Sequence, residues 1–240
     1  MDQYYYIAGL VVKIDSFGRT LEQAKLYSCK QNDDIDIDLS KGAINPVRAK
    51  AKEKYPYITE DECEYMVTGS LFYQFLLDYD GFMLHSSAVV VDGKAFLFTA
   101  NSGTGKSTHT KLWLERFGDR AYILNDDKPA LRLEDGVWYA YGTPWSGKHD
   151  ISRNKRVTVA GIACLERGES NEIMPFRGIE AISAIMRQVN RPRAAEYRVK
   201  LMKLLDKLIT QVPIWKLKCN MDLEAVAVSY EAMSGQKITD

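Results

Sequence analysis

Residues 100 to 108 read Ala-Asn-Ser-Gly-Thr-Gly-Lys-Ser-Thr, and the apolar run Ala95-Phe96-Leu97-Phe98-Thr99 leads straight into them. A strand that opens through such a turn into a helix is a phosphate-binding loop. Gly103 and Gly105 let consecutive backbone N–H groups turn inward on an anion, Lys106 adds a mobile positive charge, and Ser107 offers a hydroxyl to Mg²⁺. Asn101, Ser102, Thr104 and Thr108 complete the candidate nucleotide contacts. The segment from Lys106 to Phe117 reads as a helix that stops at Gly118, so its positive dipole end points at the same phosphates. The full pattern Gly-x-x-x-x-Gly-Lys-Ser/Thr has glycine where this chain has Ala100, which removes one permissive position. A Gly/Ser-rich turn with a stray lysine is the bland alternative, and the register of strand, glycines, Lys-Ser-Thr and helix disfavours it.

At 240 residues and 46% hydrophobic content the chain can bury one sizeable core, or one core with a small accessory lobe. Thirty-two basic and 32 acidic side chains leave no net charge. No global field then favours nucleic acid or an anionic membrane, and a polyanion must be held locally. No apolar stretch approaches the roughly 18 residues that span a bilayer. The start, Met1-Asp2-Gln3-Tyr4, lacks a charged and then apolar secretory signal, so a cytoplasmic location is expected. Cys29, Cys63, Cys164 and Cys219 are scattered with no Cys-x-x-Cys pair, which speaks against zinc or a disulfide framework and for reduced, mostly buried thiols.

Along the chain, residues 3 to 14 suggest an opening strand and Ile35-Asp36-Ile37-Asp38 alternates as an edge strand does, giving a modest β-rich lobe over residues 1–58. Residues 48 to 54 are basic and read as a solvated connection. Thr59-Glu60-Asp61-Glu62 fits a capping box, after which Tyr65, Gly69, Phe72, Leu76 and Tyr79 recur at helical spacing. Asp92-Gly93 marks a hairpin between residues 88–91 and the strand that feeds the loop. Strands follow at 121–124, 130–134, 137–141 and 157–165, with the polar, aperiodic residues 142–153 as a mobile cover. The final third is helical through Ile179, Ile182, Met186 and Val189, then Tyr197, Leu201, Leu204, Leu205 and Leu208, interrupted by a strand at 214–219. The last helix is capped by Asp222, closes near Gly235 and buries Leu223, Val226 and Tyr230. The expected architecture is a mixed α/β sheet domain over residues 59–240, with a helical C-terminal third.

Asp126 and Asp127 end a strand, where one carboxylate can hold Mg²⁺ while the other accepts a proton from an attacking hydroxyl. Position alone leaves His85 either structural or functional. His109, in the loop helix, and His149, in the cover, can be merely exposed. Within residues 142–153, Trp145 offers a flat apolar surface while Lys148 and Arg153 offer charge for a transferring phosphoryl group, as a closing lid would. Arg187, Arg191 and Arg193 cluster around a helix end, where solvation or dipole pairing accounts for them.

Together, Leu84-His85-Ser-Ser-Ala-Val-Val, Ser102-Gly-Thr-Gly-Lys-Ser-Thr108 and Asn125-Asp-Asp127 resemble HPr kinase/phosphorylase and its smaller relatives. The similarity spans residues 82 to 135, with a looser stretch over 142 to 165 and none before residue 60. The resemblance implies a phosphoenolpyruvate carboxykinase-like P-loop fold and Mg²⁺-dependent transfer from ATP to a serine hydroxyl on a protein or peptide. It maps His85 to an active-site histidine, Lys106 and Ser107 to phosphate and Mg²⁺ contacts, and Asp127 to the general base, with Asp126 beside it on the metal. The acidic segment that comes after the paired aspartates in that family is missing here, which speaks against HPr itself as acceptor, against the reverse phosphorylase activity and against the hexamer typical of that enzyme. Some other homo-oligomer stays open, as do a non-catalytic ATP-sensing module and a kinase of a small alcohol such as free serine or a sugar.

Overall fold

The computed structural model describes residues 3–30 and 34–238 of the chain; Met1 and Asp2, at the start read for a signal, lie outside them. The N-terminal strands β1 (Tyr4–Ile7) and β2 (Leu10–Ile14) form a hairpin, and β3 (Ile37–Leu39) adds in parallel to β2. The segment expected as one strand is therefore two, because Ala8 and Gly9 both take positive φ and reverse the chain. Two helices absent from the expectations belong to this part, α1 (Gly18–Ala24) and α2 (Lys41–Lys54). The second corrects the solvated connection. Its Lys/Ala/Glu run is a good helix former, and Ile44 anchors it in the core.

Helix α3 (Glu60–Phe75) begins at the expected capping box, in which Thr59 and Glu62 satisfy each other's backbone N–H groups, and it runs on through a 3₁₀ turn, Leu76–Tyr79. Its apolar face packs with Ile7, Val12, Leu39 and Tyr27, so one hydrophobic cluster joins residues on both sides of position 58. Hydrogen bonds fasten the β1–β3 sheet to the rest, among them Arg132 Nη1 to the Ala8 carbonyl at 2.8 Å and Tyr79 Oη to the Asp36 carbonyl at 2.8 Å.

The main sheet is mixed. It comprises β4 (Gly81–Met83), β5 (Ser86–Val91), β6 (Lys94–Thr99), β7 (Ala121–Asn125), β8 (Ala130–Glu134), β9 (Val137–Tyr141), β10 (Arg156–Arg167), β11 (Glu172–Pro175) and β12 (Ile214–Cys219). Their order is β4-β8-β9-β10-β6-β5-β7, with β12 on the far half of β10 and β11 on β12. The hairpins at Asp92-Gly93 and Asp135-Gly136 turn through paired positive φ angles, as those dipeptides allow. The central strands β5 and β6 are buried on both faces, and their alternate residues separate cleanly. Ala88, Val90, Ala95 and Leu97 meet α5 (Gly178–Met186) and α6 (Ala195–Gln211), while Val89, Val91, Phe96 and Phe98 meet α4 (Lys106–Phe117) and α7 (Glu224–Ser234).

Two C-terminal expectations need correction. Ile179 is 79% exposed, because α5 turns the short side of Ala181, Ala184 and Ile185 to the core instead. Leu223 is the N-cap of α7 and 42% exposed, and Asp222 makes no side-chain cap. Val226 and Tyr230 are buried, and Gly235 closes the helix in the left-handed conformation. The four cysteines are free thiols, Cys63 and Cys219 buried, Cys164 half-buried and Cys29 exposed. No helix among the described residues is long and apolar enough to cross a membrane.

Candidate active site

The candidate phosphate loop is held by its neighbours more than by itself. Thr99, at the end of β6, donates its hydroxyl to the His85 carbonyl at 2.8 Å, which ties the two strand ends of the hairpin together. Thr104 N donates to the Asn101 carbonyl at 3.2 Å and closes the turn. Gly105 then takes φ 125°, a region that a side chain would strain, immediately before α4 begins. Arg167, at the end of β10, donates to the Thr104 carbonyl at 3.1 Å and the Gly103 carbonyl at 2.5 Å. The loop carbonyls are thus taken up on the β10 side, and the unsatisfied N–H groups in the first turn of α4 remain for an anion. Ala100 is absent from the residues with positive φ, so the missing first glycine costs no backbone strain. Its carbonyl accepts the Lys106 ammonium at 3.0 Å. Lys106 is only 7% exposed; burial lowers its pKa, while Asp127 and Asp126 act against that shift.

Opposite the loop, the Asn-Asp-Asp end of β7 gives its two carboxylates different tasks. The Asn125 amide donates to the Thr143 carbonyl at 3.0 Å, and its Oδ1 accepts the N–H groups of Asp127 at 3.0 Å and Lys128 at 2.7 Å. That turn, built on a buried asparagine, splays the aspartates. Asp126 faces α4: one oxygen accepts the Ser87 hydroxyl at 2.7 Å and the other the Ser107 hydroxyl at 3.0 Å. Asp127 faces the other way, 3.2 Å from His85 Nε2 and in contact with the Lys128 ammonium. Burial pushes its carboxyl up, but the His85 hydrogen bond and Lys128 outweigh that and hold it at about 2. His85 is fixed from behind by Gln188 Oε1, 3.0 Å from its Nδ1.

His85, Ser102, Gly103, Gly105, Lys106, Ser107, Thr108, Asp126, Asp127 and Lys148 line one charged cleft of about 560 Å³. Thr104 lines instead a second cleft of about 420 Å³, on the other side of the loop, whose walls include Leu112, Leu165 and Met221. Asn101 is exposed, its Oδ1 accepting from Gln188 at 3.2 Å. Arg153 is not brought to the site: its guanidinium lies 4.7 Å over the Tyr122 ring. Trp145 is no surface for a ligand either. It is 1% exposed, stacks on Phe72 at 4.8 Å and donates to Thr68 Oγ1 at 3.3 Å, so the first half of the supposed cover is core. His149 does line the charged cleft, whereas His109, for which simple exposure is one reading of the sequence, is 2% exposed.

Sequence reasoning missed Arg19 and Tyr65. Arg19, from α1, lies 3.9 Å over the Tyr65 ring, donates to the Gly147 carbonyl and lines the charged cleft. Gly147 takes φ 78° and packs so close that an added Cβ would lie 2.8 Å from Asp127 Cβ. Arg19 carries no local signal, because Phe17-Gly18-Arg19-Thr20 has neither motif nor period. Tyr65 is visible in the sequence only as part of an apolar helix face.

No protein-family model matches the chain, and no curated protein does. Among solved structures, the Hpr(Ser) kinase/phosphatase from Coxiella burnetii is similar at 15% identity and a TM-score of 0.37, covering 64% of this chain and 95% of that one. This is a distant structural relationship, and a functional reading has to rest on the residues of the cleft.

Proposed function

We propose that the chain is an ATP- and Mg²⁺-dependent kinase, with a phosphoenolpyruvate carboxykinase-like core, that transfers a γ-phosphoryl group to the serine hydroxyl of a peptide or protein. The observation that supports it most is the opposed use of the paired aspartates, Asp126 bonded to the loop hydroxyl Ser107 at 3.0 Å and Asp127 turned to His85 at 3.2 Å. A hydroxyl beside a carboxylate suits Mg²⁺, which takes oxygen donors and keeps few protein ligands when phosphates and water supply the rest. Ser107 and Asp126 would hold it, and when bound it neutralises charge on the triphosphate.

The chain's own residues divide the remaining work. Lys106 and the first-turn amides of α4 hold the phosphates in line. The acceptor hydroxyl sits against Asp127; as its oxygen bonds to the γ-phosphorus, the bond to the β-phosphate oxygen breaks and the proton passes to the carboxylate. A carboxyl held at about 2 is a weak base, which suits a loose transition state where proton transfer comes late. Arg19 and Lys148 face developing phosphoryl charge, the place expected for Arg153. The partly apolar second cleft suits the nucleoside. In this division residues 59–240 carry the loop, the paired aspartates and Lys148, and residues 1–58 add Arg19 and complete the acceptor side, in a cytoplasmic protein.

The test is phosphoryl transfer from radiolabelled ATP to serine peptides. Lys106→Ala should lower it about a hundredfold to a thousandfold with an unchanged melting curve, and Asp127→Asn should retain ATP binding while losing turnover. Undiminished transfer in Lys106→Ala refutes the proposal. One observation favours a second reading, an ATP sensor without chemistry: Asp127 is already paired with the Lys128 ammonium and hydrogen-bonded to His85. Tight ATP binding with no turnover on any acceptor selects it, and transfer to free serine or a sugar would make the acceptor a small alcohol.

A further inference from the structure

A groove of about 520 Å³ runs between α2, α3 and residues 190–193. Its floor is apolar: Val47 and Met66 are each 37% exposed, with Leu71 beside them. Lys50, Lys54, Arg191 and Arg193 stand around it, all exposed, and no aspartate or glutamate among the described residues lines it. The contrast within α2 is informative. Arg48 and Lys52, away from the groove, each meet Glu60 at 3.0 Å, and Arg48 also lies 3.5 Å from Glu64. The cations beside the groove have no acidic partner among the described residues. In a chain of zero net charge, a local excess of four positive charges over an apolar floor is a patch made for an anionic, apolar-faced partner.

The groove is also wired to the catalytic cleft. His85 N donates to the Gln188 carbonyl at 2.7 Å, Leu84 pairs with Val189, and Asn190 Nδ2 donates to the Ser70 carbonyl at 3.3 Å. Residues 188 to 193 thus lead from beside the active-site histidine to the rim, a path of at most ~18 Å over five residue-to-residue steps. One extended peptide can occupy both places.

Resting on the kinase reading above, we infer that this groove docks an acidic amphipathic segment of the acceptor polypeptide, separate in sequence from the serine that is phosphorylated. Such a segment lays its apolar face on Val47, Met66 and Leu71 and its carboxylates against the four cations. A nucleic acid would satisfy the charge but not the floor.

The probe is a fluorescent synthetic helix with a leucine face and a glutamate face, compared with its leucine–lysine counterpart, with affinity read by anisotropy on the full chain without ATP. The acidic probe should bind and the basic one should not. Lys50→Glu combined with Arg193→Glu, both exposed sites, should weaken the acidic probe about tenfold or more and let the basic one bind. Met66→Ser should also weaken it. Fused to a serine peptide, the acidic probe should lower KM with kcat unchanged in the unaltered chain only. Equal binding of both probes, indifference to the charge reversals, or displacement by a single-stranded oligonucleotide that ignores Met66→Ser overturns the inference. Because binding is measured without turnover, a chain that binds the probe but transfers nothing refutes the kinase reading and leaves the groove standing, and the converse result does the reverse.

Discussion

His109 lies on α4 beside the candidate phosphate loop, and its surroundings predict a specific acid sensitivity. Trp113 Nε1, a donor only, points at His109 Nε2 from 3.1 Å, so that ring nitrogen must keep its lone pair. Ser229 Oγ lies 3.2 Å from the same atom, Cys219 Sγ 3.9 Å from Nδ1, and the Phe98 ring centroid 4.5 Å away. None carries charge to reward a proton, and burial lowers the pKa from 6.5 to about 4. The unfolded chain binds the proton at the higher value. Stability is therefore complete above about pH 6.5, falls as the pH drops toward 4, and is insensitive to this group below that. The gap corresponds to about 3 kcal/mol, a large share of the 5–15 kcal/mol typical of a domain. Urea unfolding followed by tryptophan fluorescence should show the loss in the unaltered protein. His109→Gln is less stable at pH 7 but should have a flatter slope across the window, while carboxylates titrate alike in both. Parallel stability curves for the two proteins would mean that His109 is not held neutral by burial, and the argument fails.

Three further outcomes rest on the packing. Arg19→Ala should reduce phosphoryl transfer about a hundredfold whereas Arg153→Ala leaves it unchanged, measured as kcat/KM with a serine peptide; the opposite ranking would return the lid role to Arg153. Gly69→Ala places a Cβ 2.8 Å from Trp145 Cδ1 and should cost about 1–3 kcal/mol by overpacking, and an unmoved urea midpoint would show that Trp145 is not lodged there. Thr59→Ala removes the α3 cap and should cost about 1 kcal/mol, read as a lower melting temperature with transfer intact below it.

The features legible along the chain are those whose causes lie within a few residues. The loop and α4 arise from adjacent glycines, a lysine and a stop at Gly118; β8 and β9 arise from alternation around Asp135-Gly136; the start of α3 arises from Thr59 and Glu62. The Asn-Asp-Asp motif announces two carboxylates at a strand end, but their divergence depends on Asn125 being held by Thr143, eighteen residues away. Likewise Trp145 looks like a ligand platform until Gly69 on α3 opens a slot for it, and His109 looks exposed until α7 and β12 close over α4. Arg19 reaches the cleft only because α1 packs on α3. Periodicity, caps and turns report the conformation of neighbours in the chain. The destination of a long side chain is set by elements remote in sequence, whose packing no short pattern encodes.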